Sequence, residues 1–189
     1  MKNSEVKNII EALIFSANEP LTQAQVNNVF KPETPNLKEI IDQLNNQYNN
    51  QEHAFQIIKI AGGFQIVTRK RYEYFIKKLL KKTGRLALSI PAMDTLAIIA
   101  YKQPISRYEI EAIRGVDSSG VLKTLLNHEL IKIKGRDIGP GRPLLYKTTQ
   151  QFLEYIGINS LSDMPKINEI KQLVDARQQD QYQTEVFKK

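Results

Sequence analysis

The sequence predicts a mainly α-helical fold with small β-hairpins, an α+β fold, and three observations support this prediction. Apolar residues recur at helical spacing in two separate stretches, and each stretch ends before a proline. The pattern around Pro20 is repeated around Pro104, 84 positions further along the chain. The pair Gly62-Gly63 lies between two apolar runs, which is a strong signal for a hairpin. Helices followed by a hairpin are therefore expected twice.

The two copies of the repeat share one order of residue types. The first copy, EALIFSANEPLTQAQV, runs from Glu11 to Val26, and the second, TLAIIAYKQPISRYEI, runs from Thr95 to Ile110. In each copy an apolar helix ends at proline, because the proline ring disfavours helical angles in the residue before it. Thr22 and Ser106 then stand where an N-cap begins the next helix. Ser106 with Glu109 also fits a capping box.

A third helix and two strands are predicted after each helical pair. The apolar stripes of the third helices are Leu37, Ile40, Ile41 and Leu44, entered through Pro35 in the first turn, and Val121, Leu122, Leu125 and Leu126, with Ser118 or Ser119 as cap. The predicted strands are Phe55–Ala61 with Phe64–Thr68 and Leu130–Lys134 with Leu144–Lys147. Three helices followed by a hairpin is the order of a winged-helix domain. The sequence thus predicts two tandem winged-helix domains.

The predicted boundary between the two domains lies near Thr83-Gly84-Arg85, after a helix from about Arg69 to Lys82. This divides the chain into an N-terminal domain, 1–84, and a C-terminal domain, 85–162. The remaining segment, 163–189, is polar and contains the glutamine-rich run DARQQDQYQ. It is expected to be a flexible or weakly helical tail.

Composition argues against several classes of function. The chain has no cysteine, which excludes disulfides, thiolate metal sites and cysteine nucleophiles. The two histidines, His53 and His128, fall in different predicted domains and have no spacing that links them to a catalytic or metal-binding set. No apolar run approaches the roughly 20 residues that span a bilayer. We therefore expect a cytoplasmic protein that is not an enzyme and has no cofactor, metal site, small-molecule substrate or membrane partner.

The segment RKRYEYFIKKLLKKTGR, from Arg69 to Arg85, concentrates positive charge. It holds eight cations and a single carboxylate, so its net charge equals the +7 of the whole chain. Its apolar stripe comprises Tyr72, Phe75, Ile76, Leu79 and Leu80. Two interpretations stay open, a solvated outer face or a helix that contacts phosphates or an acidic protein. In the second case the contacts are Lys70, Lys77, Lys78, Lys81 and Lys82.

The most distinctive loop is GRDIGPGRP, from Gly135 to Pro143. Its glycines and prolines predict a stiff turn from which Arg136 and Arg142 project. It lacks the Gly-Lys-Ser/Thr ending of a phosphate-binding loop and lies between strands, so nucleotide binding is not expected. Either the arginines are presented to a partner on a rigid wing, or they pair locally.

The third helices argue against base reading. In helix-turn-helix proteins this helix enters the major groove, yet the first carries Glu39 and Asp42 and the second carries one lysine. Neither has the arginines that commonly read guanine. Protein contact is thus the favoured use. The alternative is a tandem winged-helix transcription regulator that binds DNA through the basic helix and the arginine wing.

A resemblance to a known family supports the first alternative. The run TLAIIAYKQPISRYEIEAIRGVDSSGVLKTLLNHELI, followed by GRPLLYKTTQQFLEYIGINSLSDMP, resembles the bacterial segregation and condensation protein B family. The resemblance implies tandem winged-helix domains and a homodimer formed chiefly through the N-terminal domain. It also implies binding to the kleisin segregation and condensation protein A, and through it to an SMC ATPase, in chromosome condensation and partition during cell division. DNA would then be reached mainly indirectly, on the nucleoid.

Several residues occupy positions of the family's second-domain motifs. They are Tyr101, Gln103, Pro104, Arg107, Glu109, Ile110, Arg114, Gly115, Arg136, Gly141, Arg142, Pro143 and Tyr146. From this resemblance we expect partner contacts at Arg107, Arg114, Arg136, Arg142 and Tyr146.

Overall fold

A computed structural model describes residues 3–80, here called the N-terminal half, and residues 88–169, the C-terminal half. The elements of the N-terminal half are α1 (Asn3–Ser16), α2 (Gln23–Val29), α3 (Leu37–Asn50), β1 (Phe55–Ile60), β2 (Gly63–Thr68), a 3-10 turn (Lys70–Tyr72) and α4 (Glu73–Leu80). Those of the C-terminal half are α5 (Ile90–Lys102), β3 (Ile105–Ser106), α6 (Arg107–Arg114), α7 (Ser119–Asn127), β4 (Ile131–Arg136), β5 (Leu144–Thr148), α8 (Gln150–Ile156) and a 3-10 turn (Leu161–Asp163). Helices with two small antiparallel sheets confirm the predicted mixture of elements.

Each half buries its own hydrophobic cluster. In the N-terminal half, Ile10, Val26 and Leu44 bring the buried faces of α1, α2 and α3 together. The C-terminal cluster gathers α5, α6, α7 and α8 in the same way. Burial of each such aliphatic side chain contributes about 1.5–3 kcal/mol to folding. The helical stripes expected from apolar spacing therefore form the two cores.

The corner between the first and second helices is built alike in both halves. The Thr22 backbone N–H donates to Gln25 Oε1 at 2.8 Å, and the Thr22 hydroxyl accepts from the Gln25 backbone N–H at 3.3 Å. Ser106 and Glu109 form the same reciprocal pair at 2.8 and 3.3 Å. The predicted capping box at Ser106 is confirmed. The first half adds an equivalent box in which glutamine replaces glutamate.

The residue before each cap joins the hairpin that follows later in the chain. Leu21 exchanges two backbone hydrogen bonds with Phe64, at 2.8 and 2.9 Å. In the C-terminal half Ile105 pairs with Tyr146, and this pairing defines β3. The sheet order there is β3-β5-β4, so the predicted two-stranded hairpin is one strand too small. A bulge between Ile133 and Gly135 interrupts the β4–β5 register.

Three local predictions need correction. Pro35 precedes the helix instead of entering it, because α3 begins at Leu37 with Asn36 as its cap. Ser118 occupies the cap position of α7 but makes no capping bond, since its hydroxyl is engaged by Arg114. The helix expected from Arg69 begins as a 3-10 turn and becomes α-helical at Glu73. Its predicted end and the predicted domain boundary lie outside the described residues.

The two halves meet at the β1–β2 turn. The Ala61 backbone N–H donates to the Ile158 carbonyl at 3.2 Å, and the Gly62 N–H donates to Asn159 Oδ1 at 2.9 Å. Beside this contact, burial and the carboxylate of Glu19 raise the pKa of Glu154. Among the described residues, the contact between the halves thus includes two hydrogen bonds donated by backbone N–H groups of the β1–β2 turn.

Candidate partner-binding surfaces

The basic helix α4 turns much of its apolar surface outward. Phe75 and Leu79 are 68% and 81% exposed, although both belong to the stripe predicted to be buried. Ile76 is half-buried and is the main α4 residue packed inward. The reason is position, because α4 follows the last strand of its half and lies at the edge of a core that is already closed by α1–α3.

The cations of the basic segment differ in their exposure and in their partners. Lys70, Lys77 and Lys78 are exposed, as a contact surface requires, and Lys77 pairs with Glu73 at 2.6 Å. Lys81 and Lys82 lie outside the described residues. Arg69, by contrast, turns inward. Its guanidinium donates to the His53 carbonyl at 2.7 Å and to Asn49 Oδ1 at 2.6 Å, so it anchors the hairpin.

Arg107 and Arg114 brace the turn from α6 to α7. Arg107 lies 3.4 Å from Glu111 Oε1 and donates to the Ser119 hydroxyl at 2.9 Å. Arg114 donates to the hydroxyl of Ser118, which is fully buried, at 2.8 Å. Both arginines have local structural partners. Any partner that they contact must share them with these bonds.

Arg136, the last residue of β4, and Arg142, in the loop between β4 and β5, lie close together, and both are exposed. The Arg136 guanidinium donates to the Arg142 carbonyl at 3.1 Å, which fixes the base of the loop. Tyr146, the third residue predicted in this region, is only 8% exposed and belongs to the core. The structure therefore brings the two wing arginines together and separates Tyr146 from them.

The wing loop is held by its own backbone. The Asp137 N–H donates to the Pro143 carbonyl at 2.9 Å, and the Arg142 N–H donates to the Gly139 carbonyl at 3.0 Å. At the tip, Ile138 is 98% exposed. Sequence reasoning overlooked Ile138. The available signal was an isoleucine flanked by glycine and charge in a loop too short to fold back over it.

The exposed faces of the third helices carry few cations. Glu39 and Asp42 are exposed on α3, and Lys123 is the exposed cation of α7. This agrees with the expectation that neither helix is equipped to read bases.

Other kinds of site find little support in the described part of the chain. His53 stacks on Phe55 at 4.9 Å and meets the edge of Tyr48 at 5.4 Å, so it is part of an aromatic cluster. Within residues 3–80 and 88–169, no three histidine, aspartate or glutamate side chains form a group that could hold a metal ion. No helix in these ranges has both the length and the apolar character needed to cross a membrane.

A repeated unit of helices and a small sheet, with exposed cationic and apolar surface, is typical of proteins that bind other macromolecules. The chain belongs to the family described as segregation and condensation complex subunit ScpB, which matches residues 8–167. This is not a known enzyme family.

Relatives cover most of the chain. The segregation and condensation protein B of Geobacillus thermodenitrificans is 44% identical over 164 residues, which are 86% of this chain and 78% of the relative. That of Clostridium perfringens is 38% identical over 181 residues, 92% of this chain and 93% of the relative. Among solved structures, ScpB from Mycobacterium tuberculosis is 28% identical and covers 84% of this chain and 99% of its own, with a TM-score of 0.39. Because that TM-score is low, family membership rests on the sequence match.

Proposed function

We propose that this chain is a non-enzymatic subunit of a condensin-like SMC–kleisin complex. In this role it binds the kleisin segregation and condensation protein A as a homodimer, and it reaches the SMC ATPase through the kleisin. The complex supports chromosome condensation and partition during cell division, in the cytoplasm and on the nucleoid. The observation that supports the proposal is the family match over residues 8–167, with relatives named segregation and condensation protein B at about 40% identity.

Each half, in this proposal, is a winged-helix domain, with residues 1–84 forming the first, 85–162 the second and 163–189 a tail. The repeated corner and the order of three helices and a hairpin support this division. The start of the tail packs on the second domain, since the Tyr101 hydroxyl donates to the Pro165 carbonyl at 2.7 Å.

The dimer surface that we propose is the outward apolar face of α4. Phe75 and Leu79 are large apolar side chains that the N-terminal half leaves exposed to water, which is unfavourable in free energy. Burial against a second copy would remove this apolar surface from water. Lys70, Lys77 and Lys78 then lie around the rim, where charge affects association rate and salt dependence more than affinity.

Kleisin contacts are assigned, as a proposal, to Arg107, Arg114, Arg136, Arg142 and Tyr146. The exposed wing arginines have the strongest support from geometry. Arg107 and Arg114 would contact the kleisin while still bracing the turn from α6 to α7. Tyr146, which is 8% exposed, would offer only a small part of its surface.

Size exclusion with multi-angle scattering tests the proposal, using the purified chain alone and with the kleisin encoded by the same genome. We expect a dimer that forms a stable complex with the kleisin. Phe75→Glu should yield a monomer, whereas the control Phe15→Glu, at a residue 79% exposed on α1, should remain a dimer. A wild-type monomer that ignores the kleisin and binds a specific duplex tightly at physiological salt would instead identify a transcription regulator.

A further inference from the structure

The β4–β5 hairpin gathers positive charge on both of its strands. Between Ile131 and Thr148 there are five cations and one carboxylate, Asp137. The cations are Lys132, Lys134, Arg136, Arg142 and Lys147. In the described ranges none of the five forms an ion pair. A polyanion laid along this hairpin would meet cations on both strands.

The pairing of the two strands places two of these cations opposite each other. Lys132 lies directly opposite Lys147 in the antiparallel register. Like charges in such a pair destabilise a sheet, by up to about 1 kcal/mol. A bound anion between the two ammonium groups would convert this repulsion into attraction.

The tip of the hairpin combines rigidity with an apolar projection. Ile138 is almost completely exposed, and its backbone N–H donates to Asp137 Oδ1 at 2.7 Å. That carboxylate therefore serves the loop backbone. Because the loop is already ordered by its own hydrogen bonds, inserting Ile138 into a partner costs little conformational entropy.

The shape of this surface favours duplex DNA over an acidic protein segment as the bound polyanion. It is a narrow convex hairpin with an isoleucine at the tip and an arginine on either side, Arg136 and Arg142. Proteins that enter the minor groove of DNA use inserted arginines and apolar wedges in this manner. An acidic protein segment would match the charge but would also have to supply a pocket for Ile138. The major-groove route has little support, since Lys123 is the single cation of α7.

We propose that the C-terminal half binds duplex DNA directly through the β4–β5 hairpin. Arg136, Ile138 and Arg142 enter the minor groove, and Lys132, Lys134 and Lys147 contact phosphates. The contact reads groove width and not base sequence. It goes beyond the proposed function, in which DNA is reached through the complex. Because Arg136 and Arg142 are also proposed kleisin contacts, DNA and the kleisin would compete for these two side chains, whereas Lys132, Lys134, Ile138 and Lys147 are assigned to DNA alone.

Fluorescence anisotropy of the full chain with labelled A·T-rich and G·C-rich duplexes, over a range of salt concentrations, tests this contact. We expect tighter binding to the A·T-rich duplex, whose minor groove is narrower. Lys132→Ala with Lys134→Ala should reduce the slope of log affinity against log salt by about 2, since two phosphate contacts are lost. Ile138→Ala should weaken binding about tenfold and leave the slope unchanged, because it removes an apolar contact.

The matched control is Lys38→Ala with Lys102→Ala, which removes two exposed cations elsewhere. Equal losses in the control and the lysine variant, or full binding by all hairpin variants, would overturn the proposal. A greater loss with Lys123→Ala than with Ile138→Ala would place DNA on α7 instead. Hairpin variants that lose the kleisin but keep DNA would show that the partner is an acidic protein. Thermal melting by circular dichroism confirms that each variant is folded.

Discussion

The backbone passes so close to Gly63 that a side chain has no space there. A Cβ at this position would lie 2.6 Å from the Pro20 carbonyl oxygen and 2.9 Å from that of Leu21. The atoms are backbone atoms of the corner that pairs with Phe64, and they cannot move without breaking that pairing. The first half therefore depends on glycine at this position for a close approach.

Gly63→Ala should lower the free energy of unfolding by about 1–3 kcal/mol, as overpacking does, measured by urea denaturation. Gly120→Ala is the matched control, because a Cβ there meets nothing within 4 Å and the residue lies in α7. The same chemical change should there raise stability by about 0.5–1 kcal/mol. Equal effects at the two glycines would contradict the close approach.

Tyr48 provides a second prediction at the scale of one residue. Its hydroxyl donates to Glu11 Oε1 at 2.6 Å, and burial together with this carboxylate raises the pKa of the phenol well above its ordinary value of 10.0. A raised pKa in the folded state means that the stabilisation is complete below the ordinary value and is lost as pH rises above it. Stability should fall in strongly alkaline solution.

Tyr48→Phe should cost about 1 kcal/mol at neutral pH through the lost hydrogen bond, and it should flatten the alkaline loss. Denaturant unfolding at neutral pH and above the ordinary tyrosine range measures both effects. An alkaline loss as steep as in the wild-type protein would show that Tyr48 is not its source.

At the scale of elements, the two corners differ in one chemically useful way. Glu109 closes the second capping box as a carboxylate, and hydrogen bonds from the Ser106 backbone and hydroxyl lower its pKa. A lowered pKa means that the stabilisation is present above the ordinary carboxyl range and is lost as pH falls through the folded value. The first box uses Gln25, which does not titrate.

Exchanging these residues tests the difference. Glu109→Gln should remove the loss of stability in acid that comes from this box, and Gln25→Glu should introduce such a loss in the N-terminal half. Each change in the free energy of unfolding should be about 1 kcal/mol or less. The midpoint of thermal unfolding, followed from neutral to acidic pH, reports both variants. A Glu109→Gln variant that loses stability in acid as steeply as the wild-type protein would contradict this role.

The helices were predictable from the sequence where their apolar residues recur at regular helical spacing. Helical spacing of apolar residues located α1, α3 and α5, and proline and hydroxyl residues located the corners. β3 was missed because two residues have no period, and only pairing with β5 defines it. α8 was missed because a seven-residue helix with one buried residue, Phe152, leaves a weak pattern.

The candidate surfaces were less predictable for the same kind of reason. The sequence counted Arg69 among the eight cations of the basic segment, but the oxygens that draw it inward belong to His53 and to Asn49 in α3, 16 and 20 positions away. The outward apolar face of α4 follows from which side of the core is already closed. The orientation of Arg69 and of the apolar face of α4 depends on tertiary packing, which short stretches of sequence do not reveal.

For the molecule as a whole, the contact between the halves includes a hydrogen bond that can be tested at Asn159. Asn159→Ala removes the acceptor of the Gly62 N–H and should broaden the distribution of distances between the halves. The sequence contains no cysteine, so a spin label on each half can be placed at two engineered cysteines and the distance measured by pulsed electron resonance. Asn28→Ala, at an exposed position on α2, is the control. An unchanged distribution in the Asn159 variant would mean that the bond does not hold the halves together.

The same contact also has a consequence for the order in which the chain folds. It joins residues 97 positions apart, whereas the capping boxes and hairpins close over short stretches. Closing a long loop has a greater entropic cost than closing a short one. The chain loses this entropy before the contact contributes any stabilisation. Each half should therefore acquire protection from hydrogen exchange first, and the amide of Gly62 should become protected last, when the two folded halves dock.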